Sequence, residues 1–272
     1  MQQHLLASRP IGIFDSGIGG LHIAQALLQL LPQENMVYFG DTAHMPYGQK
    51  SAQAIQSYAI KITEILLQQN CKLILIACNA ASASAYDTVR HYVGSRAHVV
   101  NVIDPVVDYL QANSQNKVLG LIGTTRTIES NVYQQKISES SREIYLRPHA
   151  TPLLASAIEE HYPQFSLIEG VLTEYLSHTI LKDIDALLLA CTHYPIIKEQ
   201  IAAFYQNNVT IIDTSAIVAT AVATYLELRQ LKNHINNEPK RTFYVSDYTE
   251  NFAAAAELFF RQPISLQRKV ID

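Results

Sequence analysis

The chain has 272 residues, 48% of them hydrophobic and 16% charged, with a formal net charge of −4. That balance is globular, with enough chain for one large domain or two of roughly 100–150 residues each. It excludes several classes. No basic stretch marks a nucleic-acid binder, no apolar run reaches the roughly 18–20 residues that span a bilayer, and three cysteines make neither a disulfide framework nor a Cys-rich metal site.

The N-terminal stretch (MQQHLLASRPIGIF) has no charged segment followed by a long apolar one, so it does not read as a signal peptide. A reducing cytoplasm is the compartment expected from the cysteine usage. Residues 10–14 open a short strand, followed directly by a Gly-rich turn at 15–20 (DSGIGG) and a helical pattern from Leu21. A second strand at 36–39 runs into a loop punctuated by Pro46, Tyr47 and Gly48. Ser51 caps an amphipathic helix through about Gln69. A strand at 73–77 ends on Cys78, and an Ala- and Ser-rich helix follows at 81–92. The pattern continues with strands at 99–103 and 118–122, helices at 105–112 and from Glu129, and helices at 151–160 and 167–181. A strand at 186–190 precedes Cys191. Helix 195–205, strand 209–212, helix 215–228, a polar connection at 233–241, strand 242–246 and helix 251–260 complete the chain.

Strands alternating with helices imply an α/β fold with parallel sheets covered on both faces. One run is used twice: 73–79 (LILIACN) and 186–192 (ALLLACT) both lead a buried apolar strand into a thiol. The interval from Asp15 to Cys78 nearly matches that from Thr124 to Cys191, as in a duplicated architecture. Ligands of parallel sheets bind off the C-terminal strand ends. A cleft between two such sheets would therefore gather Asp15, Ser16, Cys78, Thr124 and Cys191 around one ligand.

Cys78 and Cys191 each stand where a helix begins, a position that eases ionisation of a thiol. One thiolate and one facing thiol could remove a proton from a carbon and return one to its other face, which is racemisation or epimerisation. The alternative is that both are small core residues. Cys71, without a repeat partner, reads as structural. The DSGIGG turn is either an anion cradle or simply a tight turn. Asp15, at the end of an apolar strand, could face an ammonium, a thiol or a His. His193 could polarise Cys191 or take its proton, while Glu159 and Glu160 read by default as a solvated pair on a helix.

Taken together, the residues resemble the glutamate racemases of the aspartate/glutamate racemase superfamily. The matching pieces are 13–21 (IFDSGIGGL), 38–43 (YFGDTA) with 46–48 (PYG), 77–79 (ACN), Gly123-Thr124 with Thr127, Ile128 and Ser130, 191–195 (CTHYP) and 244–247 (YVSD). The resemblance implies two similar α/β domains with parallel sheets flanked by helices, related by a pseudo-two-fold axis, with the active site in the cleft between them. Residues 1–98 and 213–272 would form the first domain and 99–212 the second. It implies cofactor-independent interconversion of L- and D-glutamate without a metal, supply of D-glutamate for peptidoglycan, and a homodimer. By the resemblance Cys78 takes the α-proton of D-glutamate and Cys191 that of L-glutamate. Asp15 assists Cys78; His193 and Glu159 assist Cys191. Ser16, Pro46, Tyr47, Gly48, Asn79, Thr124, Thr127 and Thr192 line the substrate site with Asp15, Ala80 and His193. Ala80 stands where the family usually has Thr, Ala190 and His161 where Gly is usual, and His44 where a basic residue is common. Two other readings accompany this one: a racemase of aspartate or another amino acid, and a non-catalytic amino-acid-binding protein of the same fold.

Overall fold

The structure, a computed structural model, describes residues 6–113, 117–139, 143–235 and 238–271. Residues 1–5 of the N-terminal stretch and 236–237 of the expected polar connection lie outside the described residues. The first sheet has six strands in the order β10-β9-β2-β1-β3-β4: β1 (Ile11–Asp15), β2 (Met36–Gly40), β3 (Leu73–Ile76), β4 (His98–Asn101), β9 (Arg241–Val245) and β10 (Leu266–Arg268). The second has four strands in the order β6-β5-β7-β8: β5 (Lys117–Gly123), β6 (Ile144–Ala150), β7 (Ala186–Ala190) and β8 (Thr210–Ile212). All of these ladders are parallel. The repeat read from the sequence is visible as topology. The run β2-β1-β3-β4 has the same order as β6-β5-β7-β8, and a cysteine follows the third strand of each run.

Strands β1, β2, β3 and β7 are buried along their whole length because helices cover both faces. Helices α1 (Leu21–Leu30), α2 (Ala52–Gln68) and α3 (Asn79–Val93) follow β1, β2 and β3. Helix α4 (Ile103–Asn113) carries the chain from the first sheet to the second, and α10 (Thr214–Leu228) carries it back. The second sheet is interleaved with α5 (Thr125–Glu129), α6 (Val132–Ser138), α7 (Leu154–His161), α8 (Glu169–Leu176) and α9 (Lys198–Phe204), and α11 (Glu250–Phe260) lies between β9 and β10. Side chains cap several of these helices: Ser51 accepts from the Ala54 N–H at 3.2 Å, Asp213 from Ser215 at 2.9 Å and Thr249 from Phe252 at 3.2 Å. One apolar cluster runs from Ile11 and Leu21 through Val106 and Leu121 to Leu188 and Val218, so the two sheets share a continuous core. A second cluster fills the far face of the larger sheet beneath α2 and α3.

Three expectations change. Residues 98–101 pair with β3 in the larger sheet, although the sequence reading begins the second unit at 99. The helix expected at 167–181 is broken into a 3-10 turn at Phe165–Leu167, α8, and another turn at Thr179–Leu181. Strands β6 and β10 are additional.

On the side of the larger sheet away from its C-terminal strand ends, Lys72 is fully buried. Its ammonium bonds Glu34 at 2.6 Å, the Leu231 carbonyl at 2.8 Å and the Ala7 carbonyl. Glu34 also accepts from the Asn233 N–H at 2.8 Å, so one buried ion pair ties four chain segments together. No helix of the described residues is long and apolar enough to cross a membrane.

Candidate active site

The C-terminal ends of β1, β3, β5 and β7 converge on one narrow cavity of about 30 Å³. Its wall includes Ser16, Gly17, the 45–48 loop, Cys78, Asn79 and Ala80 from the first sheet's side. Thr124, Ala155, Ser156, Glu159 and 190–193 contribute from the second. Polar side chains set among apolar ones on its wall suit a small polar ligand. Among these residues only His193 can carry a positive charge, so an anionic ligand would rely on that imidazole, on neutral donors, and on the N-terminal ends of α1 and α3.

Cys78 stands two residues after β3 and is the N-cap of α3, because an apolar parallel strand must turn at its end into the covering helix. Its sulfur accepts from the Ala81 N–H and donates to Ser16 Oγ, each at 3.5 Å. Burial, reinforced by the negative Asp15, pushes the Cys78 thiol up to about 12. At neutral pH it is a proton donor.

Asp15 lies beneath this thiol at the end of β1. Its Oδ2 accepts from the Gly20 N–H at 2.9 Å and, more weakly, from Gly17 at 3.4 Å, while Oδ1 is buried without a partner. Burial raises the Asp15 carboxyl above the usual carboxylate range; His193 and these N–H groups work against that rise. Asp15 is fully buried behind the cavity wall, and so is Thr127, whose hydroxyl touches Thr124 Oγ1 at 3.1 Å. The other residues named from the sequence as substrate-lining, and both thiols, reach the wall itself.

Cys191 follows β7 as Cys78 follows β3. Its sulfur is 3.7 Å from His193 Nδ1, and the other ring nitrogen stands 3.3 Å from Glu159 Oε2. The carboxylate is off the line of the N–H, so this is an ion-pair contact rather than a straight hydrogen bond. Burial by itself would lower the His193 pKa. The Cys191 sulfur on one side and the Glu159 carboxylate on the other outweigh burial and hold it well above the ordinary histidine value. The solvated-pair reading therefore fails for Glu159, which turns inward onto the buried His193. His193 is braced by the edge of Phe259, ring centroids 5.4 Å apart, and by α1, which enters at Gly19. A Cβ on Gly19 would lie 2.5 Å from Thr192 Oγ1 and 2.8 Å from the His193 ring, so only glycine allows this approach.

The loop carrying Pro46, Tyr47 and Gly48 is held from behind by buried Asp41. Asp41 accepts from the Tyr47 hydroxyl at 2.5 Å and the Ser246 hydroxyl at 2.7 Å, and pairs with His44 Nδ1 at 2.8 Å. Gly48 then packs directly on Thr124 across the cleft, and Arg126 Nε donates to the Lys50 carbonyl at 3.1 Å. Gly17, Met45, Ala155 and Ser156 also line the cavity, although the sequence reading does not name them as site residues. Cys71 is away from the site, buried against Gly12, and burial alone pushes its thiol up to about 12.

The arrangement is a thiol donor on one side of a small cavity and a thiol beside an imidazolium on the other. Comparison with known proteins points the same way. The sequence profile of the Asp/Glu/Hydantoin racemase family matches residues 18–222. A glutamate racemase of Neisseria meningitidis is 38% identical over 251 residues, covering 92% of each chain. The crystal structure of glutamate racemase from Francisella tularensis in complex with D-glutamate matches with a TM-score of 0.88 at 38% identity, over 98% of this chain and 99% of that one. The glutamate racemase from Thermus thermophilus in complex with beta-chloro-D-alanine matches with a TM-score of 0.85 at 34% identity, over 97% and 98%.

Proposed function

The chain belongs to the Asp/Glu/Hydantoin racemase family and, within it, to the glutamate racemases, and we propose that it interconverts L- and D-glutamate by proton transfer between two thiols. One observation carries the mechanism: Cys78 and Cys191, each at the end of a strand of a different sheet, line the same cavity.

In the L-to-D direction Cys191, as thiolate, takes the Cα proton, and Cys78 gives its own proton to the opposite face. The cycle leaves a thiol at Cys191 and a thiolate at Cys78, and the D-to-L direction restores the starting state. His193, held as a cation by Glu159, steadies negative charge on Cys191. Asp15, beneath Cys78 and itself raised by burial, is placed to share the proton on that side. The high Cys78 pKa keeps that thiol protonated in the empty site, the form that donates in the L-to-D direction. Backbone N–H groups of Tyr47 and Gly48, the Ser16, Thr124 and Thr192 hydroxyls and the Asn79 amide hold the substrate carboxylates.

In the same reading the two sheets are two units, one built from both ends of the chain and one from its middle. The protein acts in the cytoplasm as a homodimer and supplies D-glutamate for peptidoglycan. Ala80 lines the cavity without a hydroxyl and supports a second reading, a racemase of aspartate or another amino acid; a panel of chiral amino acids separates the two. The direct test is purified protein alone with each glutamate enantiomer in heavy water. Racemisation with deuterium entering Cα is expected, and no uptake from either enantiomer would refute the proposal. Cys78→Ser and Cys191→Ser should each remove most turnover; full activity in either rejects the two-thiol model.

A further inference from the structure

Asn79 begins α3 beside Cys78, is 3% exposed, and lines the cavity. Its Oδ1 accepts from the hydroxyl of Tyr133 at 2.8 Å. Tyr133 lies on α6, which follows β5 of the other sheet, and is 1% exposed, so its ring crosses from one half of the molecule to the other. Asn79 Nδ2 is buried with no protein partner. A side-chain amide can present either end, donor or acceptor, and its neighbours decide which. Burial raises the Tyr133 phenol pKa, so the hydroxyl keeps its proton and has it to give. With Oδ1 accepting that hydrogen bond, only the N–H₂ end is left for the cavity. A buried donor without a partner is costly unless a ligand completes it.

We propose that Tyr133 is a positioning residue: by donating to Asn79 Oδ1 it turns the amide so that Nδ2 meets a substrate carboxylate and not the ammonium. This rests on the glutamate reading, which already gives Asn79 a carboxylate contact, and adds the group that sets the orientation of its amide. It also makes a group from the second sheet's side complete a substrate contact on the first, so carboxylate binding depends on the two halves being together.

The test is steady-state kinetics on both enantiomers for native protein, Tyr133→Phe, Asn79→Ala and the double variant. Tyr133→Phe keeps the ring and removes only the hydroxyl. Its KM is expected to rise about tenfold for both enantiomers, the scale of one hydrogen bond to a charged group, with kcat nearly unchanged. Because Tyr133 acts through Asn79, the double variant should be no worse than Asn79→Ala alone. A native-like KM in Tyr133→Phe, or losses that multiply in the double variant, overturns the proposal. Thermal melts accompany each variant. Asn79→Asp gives an independent arm, since it keeps an acceptor for Tyr133 but replaces the donor with an oxygen. It should bind glutamate no better than Asn79→Ala, and native-like binding overturns the donor assignment. Native protein inactive on both enantiomers would instead defeat the glutamate reading itself.

Discussion

Gly48→Ala puts a single methyl group where the two halves meet. The new Cβ would lie 2.5 Å from Thr124 Cβ, 2.8 Å from Cγ2 and 3.0 Å from Oγ1. Carbon atoms in contact prefer about 3.5–4.0 Å, so relief of the clash requires about 1 Å of retreat by the loop or by Thr124. Neither yields readily: Asp41 anchors the loop through Tyr47, and Thr124 caps a helix directly after a central strand. A backbone N–H that meets a carboxylate at about 2.9 Å would open to about 3.9 Å and cease to be a hydrogen bond. Losing one such bond to a charged group costs about 1.5–3 kcal/mol, or about 10- to 150-fold. Initial rates followed by polarimetry should show kcat/KM reduced by that factor, with the loss falling on KM because the loop holds the carboxylate and not the reacting carbon. The melting temperature should be nearly native. A native kcat/KM, or a loss confined to kcat with KM unchanged, would refute the assignment of this loop to substrate seating.

Glu159→Gln removes one of the two groups that raise the His193 pKa. The imidazolium exists below its folded pKa and is lost as pH rises through it, so the alkaline limb for L-glutamate consumption should move to lower pH; an unmoved limb would contradict the pairing. Ala80→Thr restores a hydroxyl on the cavity wall and should lower KM for glutamate by up to the value of one charged hydrogen bond, about 1.5–3 kcal/mol; an unchanged KM would show that the missing hydroxyl does not face substrate. Lys72→Met strands Glu34 as a buried uncompensated charge, which costs about 3–5 kcal/mol. Denaturant midpoints should fall accordingly while low-temperature kcat stays native, and an unshifted midpoint would show that the buried pair contributes nothing.

Much of this fold is legible in the sequence because its central strands are continuous apolar runs bounded by glycine or cysteine, as at 73–79 and 186–192. Strand β6 is not, because it is an edge: it is half-buried rather than alternating, and it contains Arg147 and Pro148. Proline cannot donate to a ladder and is tolerated at such edges. Strand β10 is a three-residue edge with equally little pattern. In the site, the thiols and the glycine turns announce themselves through their repeated setting. The partners that tune them do not, because they are distant in sequence: Asp41 with Ser246, Asn79 with Tyr133, Glu159 with His193. Ala155 and Ser156 are cavity walls only because α7 turns that face inward, and small residues on a short helix give no such signal.

The two-thiol account is tested most directly by the early time course in heavy water. With one thiol on each face, product formed in the first turnovers carries deuterium at Cα, while the unreacted enantiomer recovered beside it still carries protium. That pattern is predicted for both L- and D-glutamate. Deuterium appearing in recovered substrate as fast as in product would mean that one group serves both faces, and would contradict the roles given to Cys78 and Cys191.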